Sequence, residues 1–288
     1  MNGRREGRGL PRRDFLAAAG AGAVGLGLGG ARLESSGSGD ARRSFELGVA
    51  TYSLRNLPRV QAIEGLRALH VSYVNVKSFH LPYDATPEEL RAGRAEFEAA
   101  GLRIVGGGTI TLSVDTDEDV RSYFEYARTC GMPLMVIAPT RQTLPRIERF
   151  VREYDIAVAI HNHGPEDDHF AGPQDVLPVV RDMDPRVGVC LDVGHTARTG
   201  IDVAEAAEMC GDRLLDLHMK DLADLAVRES QCIVGEGAVP VARLFRTLAD
   251  MAYQGYVNLE YEIDPSDPLP GMQRSFAYMR GVLAGLEP

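Results

Sequence analysis

Five of the seven histidines lie between residues 161 and 218, among carboxylate and lysine side chains that can bind metal or move protons. Four side chains of metal-ligand type come at or near the ends of four successive apolar runs: His161 (AIHNHG), Asp192 (CLDVGH), His218 (DLHMKD) and Glu260 (NLEYE). Two imidazoles and two carboxylates suit Mn²⁺, Co²⁺, Fe²⁺ or Zn²⁺ better than Ca²⁺, which prefers oxygen ligands alone. We therefore predict one divalent metal ion held by these four side chains.

Short β-branched runs and longer amphipathic stretches alternate from residue 45 onward. The predicted strands are Phe45–Thr51, Tyr73–Ser78, Arg103–Gly107, Leu134–Ala138, Ile156–His161, Val187–Asp192, Leu214–Met219 and Tyr256–Tyr261. Helical patterns follow them near 59–69, 87–100, 117–130, 143–153, 174–183, 202–210, 240–253 and 270–285. Eight such units predict an α/β fold, a single (β/α)8 TIM barrel over residues 44–288. A doubly wound sheet is disfavoured because no glycine-rich turn follows the first strand.

The predicted barrel brings the four metal-ligand side chains together. Neighbouring strands lie about 4.8 Å apart and their side chains alternate between the two faces. Four inward-pointing residues at equal height on adjacent strands therefore converge on one point. The same alternation places His163, Lys220 and Glu262 in a second tier two residues further along their strands.

The N-terminus has the pattern of an export signal. Residues 1–31 contain the paired Arg12–Arg13, followed by Phe15, Leu16 and an Ala/Gly/Leu run, as in a twin-arginine signal. Residues 32–43 form a polar linker. We expect a periplasmic or secreted protein that is exported already folded, with its metal, and has no membrane attachment after processing.

Charge and composition narrow the range of partners. The formal net charge is −10, which disfavours binding to the phosphate backbone of nucleic acid, and the chain has no Trp for base stacking. Four cysteines without a C-x-x-C pair are expected to be buried small hydrophobic residues. A small molecule is the expected substrate, and a homo-oligomer is compatible with the sequence.

Four short motifs resemble one enzyme family. The sequences D-V-G-H at 192–195, H-M-K-D at 218–221, G-E-G at 235–237 and L-E-Y-E at 259–262 are similar to the sugar phosphate isomerase/epimerase family of xylose isomerase-like barrels. That family is related to inosose dehydratase, ketose 3-epimerases and endonuclease IV. The resemblance covers roughly residues 45–285 and is most specific in the second half.

The resemblance implies a metal held by Glu, Asp, His and Glu after the last four strands. The last three positions match Asp192, His218 and Glu260, whereas the fifth-strand position, commonly Glu-Asn-His, is here His161-Asn162-His163. Ketose epimerases use the fifth- and eighth-strand glutamates as a pair that removes and returns the proton. Because His161 replaces one of them, we expect a broader class of keto-sugar enzyme, with Glu166 as a nearby source of a carboxylate.

The family chemistry is removal of a proton next to a carbonyl, which gives an enediolate. The candidate catalytic residues are His163, His195, Lys220 and Glu260. An unphosphorylated sugar or keto-sugar is the expected substrate, because sugar phosphates are chiefly cytoplasmic and the sequence has no glycine-rich phosphate loop. The alternatives are an exported 3-keto-glycoside lyase or dehydratase that acts by β-elimination, and a non-catalytic sugar- or metal-binding barrel.

Four further polar residues have both a functional and a structural interpretation. Lys220 is either catalytic or a salt-bridge partner of Asp221 or Glu236, and Glu236 either orients a metal ligand or shapes its turn. Lys77 and His80 either line the mouth of the barrel or lie on the surface. An endonuclease-like activity is disfavoured because it would require a basic face and a larger ligand cluster.

Overall fold

The structure is a computed structural model that describes residues 45–286. Its strands are β1 (Glu46–Ala50), β2 (Tyr73–Val76), β3 (Arg103–Leu112), β4 (Leu134–Pro139), β5 (Ala157–His161), β6 (Val187–Asp192), β7 (Leu214–Met219), β8 (Asp221–Leu222), β9 (Gln231–Cys232) and β10 (Tyr256–Leu259). The α-helices are α1 (Arg59–Ala68), α2 (Pro87–Ala99), α3 (Asp117–Cys130), α4 (Leu144–Tyr154), α5 (Pro173–Val180), α6 (Val193–Arg198), α7 (Val203–Cys210), α8 (Val241–Asp250) and α9 (Leu269–Ala284).

Eight of these strands close into a barrel in the order β1-β10-β7-β6-β5-β4-β3-β2, and neighbouring strands are parallel. Parallel neighbours need a crossover, and the helices between the strands supply it. The predicted single (β/α)8 TIM barrel is therefore confirmed. The strands β8 and β9 form a small antiparallel pair outside the barrel, in the segment that follows β7.

Local sequence signals mark where the helices begin and end. Thr86 and Glu89 form a reciprocal capping box at the start of α2, with Pro87 at its first turn. Helix α3 ends at Gly131, whose φ of 70° is the left-handed conformation that glycine adopts without strain. These two boundaries agree with the sequence prediction to within a residue.

A small apolar cluster and a polar group both contribute to the interior of the barrel. Val136, Ala159 and Cys190 form an apolar cluster on three adjacent strands. None of the four cysteines is paired, and three of them, Cys130, Cys190 and Cys210, are buried, as expected. A separate and larger apolar core packs the helices against the outside of the barrel.

A hydrogen-bonded group spans the barrel interior below the end of β7. The buried carboxylate of Asp216 accepts from Nδ2 of Asn75 at 3.1 Å and from Nδ2 of Asn258 at 2.7 Å. A Cβ on Gly48 of β1 would collide with Asn258, so the glycine makes room for this group. Burial raises the pKa of Asp216 to about 6, which shows how strongly this interior penalises a negative charge.

The described residues give no information on the N-terminal predictions. The signal segment, 1–31, and the linker, 32–43, lie outside residues 45–286. Within that range, no helix combines the length and the apolar character needed to cross a membrane.

Candidate metal centre

The four predicted ligands meet at the C-terminal end of the barrel. His161, Asp192, His218 and Glu260 each offer one ligand atom, and these atoms all lie within 4.8 Å of one another. All four side chains are buried. These residues lie at corresponding places on their strands: His161 is the last residue of β5, Asp192 the last of β6, His218 the penultimate residue of β7, and Glu260 the residue after β10. The ends of these four strands thus bring together the side chains predicted from sequence.

Stagger of the strands, rather than direct pairing, produces this convergence. Asp192 pairs with His218, but His161 pairs with Cys190, two residues before Asp192. Likewise His218 pairs with Asn258, two residues before Glu260. Strands in a barrel of this type tilt by about 36° and are staggered around the axis, so side chains at one height need not be partners in the hydrogen-bonded ladder.

The separations between donor atoms fit a single transition-metal ion. Nε2 of His161 lies 3.1 Å from Nδ1 of His218, 3.3 Å from Oδ2 of Asp192 and 3.9 Å from Oε2 of Glu260. The distance from Nδ1 of His218 to Oε2 of Glu260 is 3.2 Å. Ligand atoms about 2.1 Å from one ion are separated by about 3.0 Å in octahedral and about 3.4 Å in tetrahedral geometry. The donor set and its spacing are therefore both suitable for a metal.

Helix α6 begins directly after Asp192, one of the four converging side chains. Oδ1 of Asp192 caps the helix by accepting the backbone N–H of His195 at 2.8 Å, which leaves Oδ2 directed at His161. The side chain of Asn162 accepts the backbone N–H of Asp192 at 2.9 Å and donates to the hydroxyl of Thr196 at 3.0 Å. Asn162, which the sequence analysis did not single out, thus fixes the end of β6 against the end of β5.

The chain has only two lysines, and both contact Glu260. Nζ of Lys77 lies 3.2 Å from Oε1 of Glu260, on the side of Thr109. Nζ of Lys220 lies 3.1 Å from Oε2 of Glu260, 3.1 Å from Oδ2 of Asp192 and in contact with Oε1 of Glu262. The predicted second tier of Lys220 and Glu262 is present, and Lys220 contacts the carboxylate oxygens that face the cluster.

Burial and the neighbouring charges set the protonation states in this cluster. Burial lowers the pKa of His161 well below its usual value, so its ring is neutral, as metal binding requires. Burial alone would raise the pKa of Asp192 and of Glu260, but the Lys220 ammonium holds both well below their usual range, and Lys77 adds to this effect on Glu260. In turn, burial would lower the pKa of Lys220, but Asp192 and Glu260 raise it well above 10.5.

His163 forms a pair with a carboxylate from the loop after β5. Its Nδ1 lies 3.2 Å from Oδ2 of Asp167, and its ring centroid is 4.5 Å from that of His161. The other oxygen of Asp167 accepts the backbone N–H groups of His169 and Phe170 at 2.7 and 3.0 Å. Burial would raise the pKa of Asp167, but the hydrogen bonds from these two N–H groups, together with His163, lower it. An ionised Asp167 therefore holds the proton of His163 on Nδ1 and leaves Nε2 with a lone pair that can accept a proton.

Several alternative assignments from the sequence are resolved by the geometry. Asp221 and Glu236 are wrong as partners of Lys220, because Asp221 binds backbone N–H groups and Glu236 contacts Arg274 at the surface. Glu236 therefore does not orient a metal ligand. His80 is buried but lies away from the cluster, with its ring nitrogens 3.0 Å from Oγ1 of Thr51 and 3.2 Å from the carbonyl oxygen of Leu57.

The carboxylate of Asp221 organises the segment that carries the G-E-G motif. It accepts four backbone N–H groups, from Leu222, Gly235, Gly237 and Val239, at distances from 2.8 to 3.1 Å. The same segment contains Gln231, whose side chain donates to the carbonyl oxygen of Glu260 and accepts from the N–H of Glu262. Asp221 thus holds in place the segment that fixes the backbone on both sides of Tyr261.

A cavity of about 360 Å³ opens beside the cluster. His195, Arg198, Lys220 and Glu262 contribute to its lining. This volume lies within the range of small-molecule sites, roughly 300–1,000 Å³. The buried cluster therefore has an adjoining space large enough for a monosaccharide, lined by groups that donate and accept hydrogen bonds.

Comparison with known proteins identifies the family. The sequence profile of the xylose isomerase-like TIM barrel matches residues 62–282. The chain belongs to the xylose isomerase-like TIM barrel family. This membership agrees with the four motifs and with the closed parallel barrel. No curated protein sequence matches the chain.

Several solved structures share the fold of this chain at low sequence identity. An uncharacterised protein from Parabacteroides distasonis is 24% identical with a TM-score of 0.65, and the match covers 83% of this chain and 99% of that one. A 3-keto-D-glucoside 4-epimerase from E. coli is 15% identical with a TM-score of 0.68, over 82% and 99%. A D-allulose 3-epimerase from Methylomonas sp. is 14% identical with a TM-score of 0.67, over 83% and 98%.

Proposed function

We propose that this protein is a divalent-metal-dependent sugar isomerase/epimerase-like enzyme. It removes a proton next to the carbonyl of an unphosphorylated sugar or keto-sugar and forms an enediolate. The observation that supports this most strongly is the convergence of four buried ligand atoms within 4.8 Å, beside a His163–Asp167 pair and a buried lysine. The structural neighbours named as sugar epimerases are consistent with this class of reaction.

The four converging side chains are the proposed metal ligands, and Mn²⁺, Co²⁺, Fe²⁺ or Zn²⁺ is the expected ion. When bound, the ion supplies positive charge against the negative charge that develops on the carbonyl oxygen. As metal ligands, two imidazoles and two carboxylates contribute a formal charge of about −2, one unit less negative than the three-carboxylate set that the family resemblance implies. Because His161 contributes a nitrogen donor in place of a carboxylate oxygen, this ligand set is softer than the one that the family resemblance implies.

Two polar side chains beside the proposed metal ligands are the proposed proton acceptor and proton donor. Nε2 of His163 is the acceptor, because Asp167 holds the proton of that ring on Nδ1. Lys220 is a donor, since its neighbours Asp192 and Glu260 keep it charged. Glu260 acts as a metal ligand rather than as the base, because the charges of Lys77 and Lys220 stabilise its carboxylate and make it a weak proton acceptor.

We further propose that the chain is exported by the twin-arginine route and acts in the periplasm or outside the cell. This proposal rests on the sequence of residues 1–31 alone. Fractionation of cells that express the full chain tests it. Periplasmic recovery that is lost in an Arg12→Lys, Arg13→Lys double variant supports export, and recovery in the cytoplasm for both forms contradicts it.

The metal is tested first, on the purified protein. About one divalent ion per chain is expected, and Asp192→Asn or Glu260→Gln should weaken binding by at least about 10²-fold, because each removes a charged ligand. Glu64→Gln and Asp250→Asn, at exposed positions on α1 and α8, are matched controls that should retain the metal. Metal analysis that finds no ion in the wild-type protein would refute the site.

The reaction is tested by incubating the metal-loaded protein with keto-sugars and 3-keto-glycosides in D₂O. Deuterium at carbon, detected by NMR, is the expected result, and His163→Gln should slow its incorporation by about 10²–10⁴-fold with the metal content unchanged. Metal binding without exchange on any substrate would favour the non-catalytic barrel.

Elimination from a 3-keto-glycoside is the second candidate reaction. It uses the same proton acceptor, His163, and the charged Lys220 can protonate the departing oxygen. The similarity of the fold to a 3-keto-D-glucoside 4-epimerase supports testing substrates of this type. Release of the free aglycone in the same incubation selects elimination, whereas deuterium incorporation with the glycoside intact selects isomerisation or epimerisation.

A further inference from the structure

An arginine with a buried side chain contributes to the lining of the cavity from the short helix that follows β6. The side chain of Arg198 is only 5% exposed. Arginine is seldom buried unless it is paired, and Arg198 has partners on both sides. One of its terminal nitrogens contacts Glu166, from the loop after β5, and the other, Nη1, lies 3.3 Å from Nδ1 of His195.

The three side chains form a continuous line, Glu166–Arg198–His195, that leads from the surface to the cavity. The hydrogen bond from Arg198 lowers the pKa of Glu166, so the outer end of the line is a carboxylate. Gly164 passes close beside all three residues. A Cβ there would lie 2.8 Å from Nη1 of Arg198 and 3.3 Å from Nδ1 of His195, and the φ of Gly164 is +85°. The loop after β5 is thus shaped to admit the arginine.

The chemistry of the contact decides where the proton of His195 lies. A guanidinium has five N–H donors and no acceptor. In the contact between Nη1 and Nδ1, Arg198 therefore donates and Nδ1 of His195 accepts through its lone pair. We propose that Arg198 is a positioning residue that fixes His195 as the neutral imidazole with its proton on Nε2.

His163 and His195 then have opposite tautomers and opposite roles. Asp167 accepts from Nδ1 of His163, which frees Nε2 as a proton acceptor, whereas Arg198 donates to Nδ1 of His195, which makes Nε2 a donor. The two ring centroids are 5.8 Å apart. In the proposed function, on which this role rests, His195 donates a hydrogen bond or a proton to a substrate oxygen, and it does not act as the base.

A second contact ties His195 to one of the proposed metal ligands. The backbone N–H of His195 donates to Oδ1 of Asp192 at 2.8 Å, so the position of the ring is tied to the metal-ligand strand. Arg198 thus controls the orientation and the tautomer of the His195 ring but is not itself one of the proposed metal ligands.

NMR of ¹⁵N-histidine-labelled protein tests the tautomer directly, whether or not the protein is catalytically active. Ring nitrogens with and without a proton differ in ¹⁵N shift, and the signals of His195 are identified by their loss in His195→Gln. At pH 7 the wild-type protein, metal-free or with Zn²⁺, is expected to show the proton of His195 on Nε2. In Arg198→Met the two ring nitrogens should move toward each other in shift, since both tautomers become populated. Arg198→Lys, which retains a cationic donor, should restore most of the difference.

Two results would overturn the proposal: a proton on Nδ1 of His195 in the wild-type protein, or unchanged shifts in Arg198→Met. If Arg198→Met does not fold, Glu166→Gln serves instead, because Glu166 is half-exposed and its loss only loosens the arginine. That variant should show a smaller shift change of the same sign, and no change would again contradict the proposal.

Kinetics provide a readout that a purely structural arginine would not move. With a substrate that exchanges deuterium, Arg198→Met should lower kcat by about 10²-fold, the lower bound for a positioned proton donor, while KM changes less than about threefold. Arg243→Met, at an exposed arginine paired with Asp202, is the matched control and should alter neither constant. If no substrate exchanges, the proposed function fails while the NMR result still decides the tautomer. An equal loss in kcat and gain in KM would contradict the positioning role.

Discussion

Replacing Lys220 with methionine should strengthen metal binding. The Lys220 ammonium lies 3.1 Å from Oδ2 of Asp192 and 3.1 Å from Oε2 of Glu260, the same two oxygens that face the other ligands. An ion about 2.1 Å from both oxygens would be no more than about 4 Å from Nζ. Lysine and metal therefore compete for one pair of carboxylates, and methionine, of similar length, removes the competing charge.

The size of the effect follows from the charges and their separation. A double and a single positive charge about 4 Å apart repel by about 8 kcal/mol at an effective dielectric constant of about 20. Only part of this is expected in the measurement, because the Lys220 side chain can move toward Glu262, which it already contacts. A tenfold decrease in the metal Kd corresponds to about 1.4 kcal/mol, and we expect a decrease of about 10–100-fold.

Competition with a chromophoric chelator at pH 7 measures the metal Kd for the wild-type protein and the variant. Lys220→Arg, which retains the positive charge, is the matched control and should show no tightening. The same Lys220→Met protein should lose most deuterium exchange, since it lacks the proposed donor. Metal binding that weakens in Lys220→Met would refute the competition and would mean that the lysine assembles the carboxylates for the ion.

Two further substitutions test other parts of the site. His161→Glu adds a third carboxylate to the cluster, so the ratio of Mn²⁺ affinity to Zn²⁺ affinity should rise, measured by competition; an unchanged ratio would exclude His161 as a ligand. Asp221→Ala leaves four backbone N–H groups without their acceptor, those of the buried Leu222 and Val239 and of the more accessible Gly235 and Gly237, and should lower the free energy of unfolding by about 2–4 kcal/mol, measured with urea. A loss below about 1 kcal/mol would show that water replaces the carboxylate.

The sequence was sufficient to predict the barrel and the four converging side chains. The strand predictions rest on short β-branched runs, and seven of the eight agree with the structure to within two residues at either end; only β3 is longer, continuing to Leu112. Because parallel strands of a barrel end at one face, residues at the ends of adjacent runs are brought together whatever the details of packing. His161, Asp192 and His218 are therefore predictable from position alone.

The partners of the charged side chains were not predictable, because they depend on contacts across the barrel. From sequence, Lys220 has Asp221 as its nearest acid, but the strand places successive side chains on opposite faces, so these two point apart. Arg198 was missed because α6 has only six residues and follows β6 without a loop. The role of Asp167 depends on a loop conformation that no sequence periodicity encodes.

The placement of both lysines at Glu260 also determines how the protein reacts with amine-directed reagents. The exposed basic groups of residues 45–286 are arginines, and the two lysine side chains are buried, so the folded surface of this range presents no lysine amine to acylating dyes or crosslinkers. Any lysine labelling of the native protein must then report access to these two buried side chains. Mass-spectrometric quantification of acylation at Lys77 and Lys220 thus measures how accessible the surroundings of Glu260 are in the folded protein.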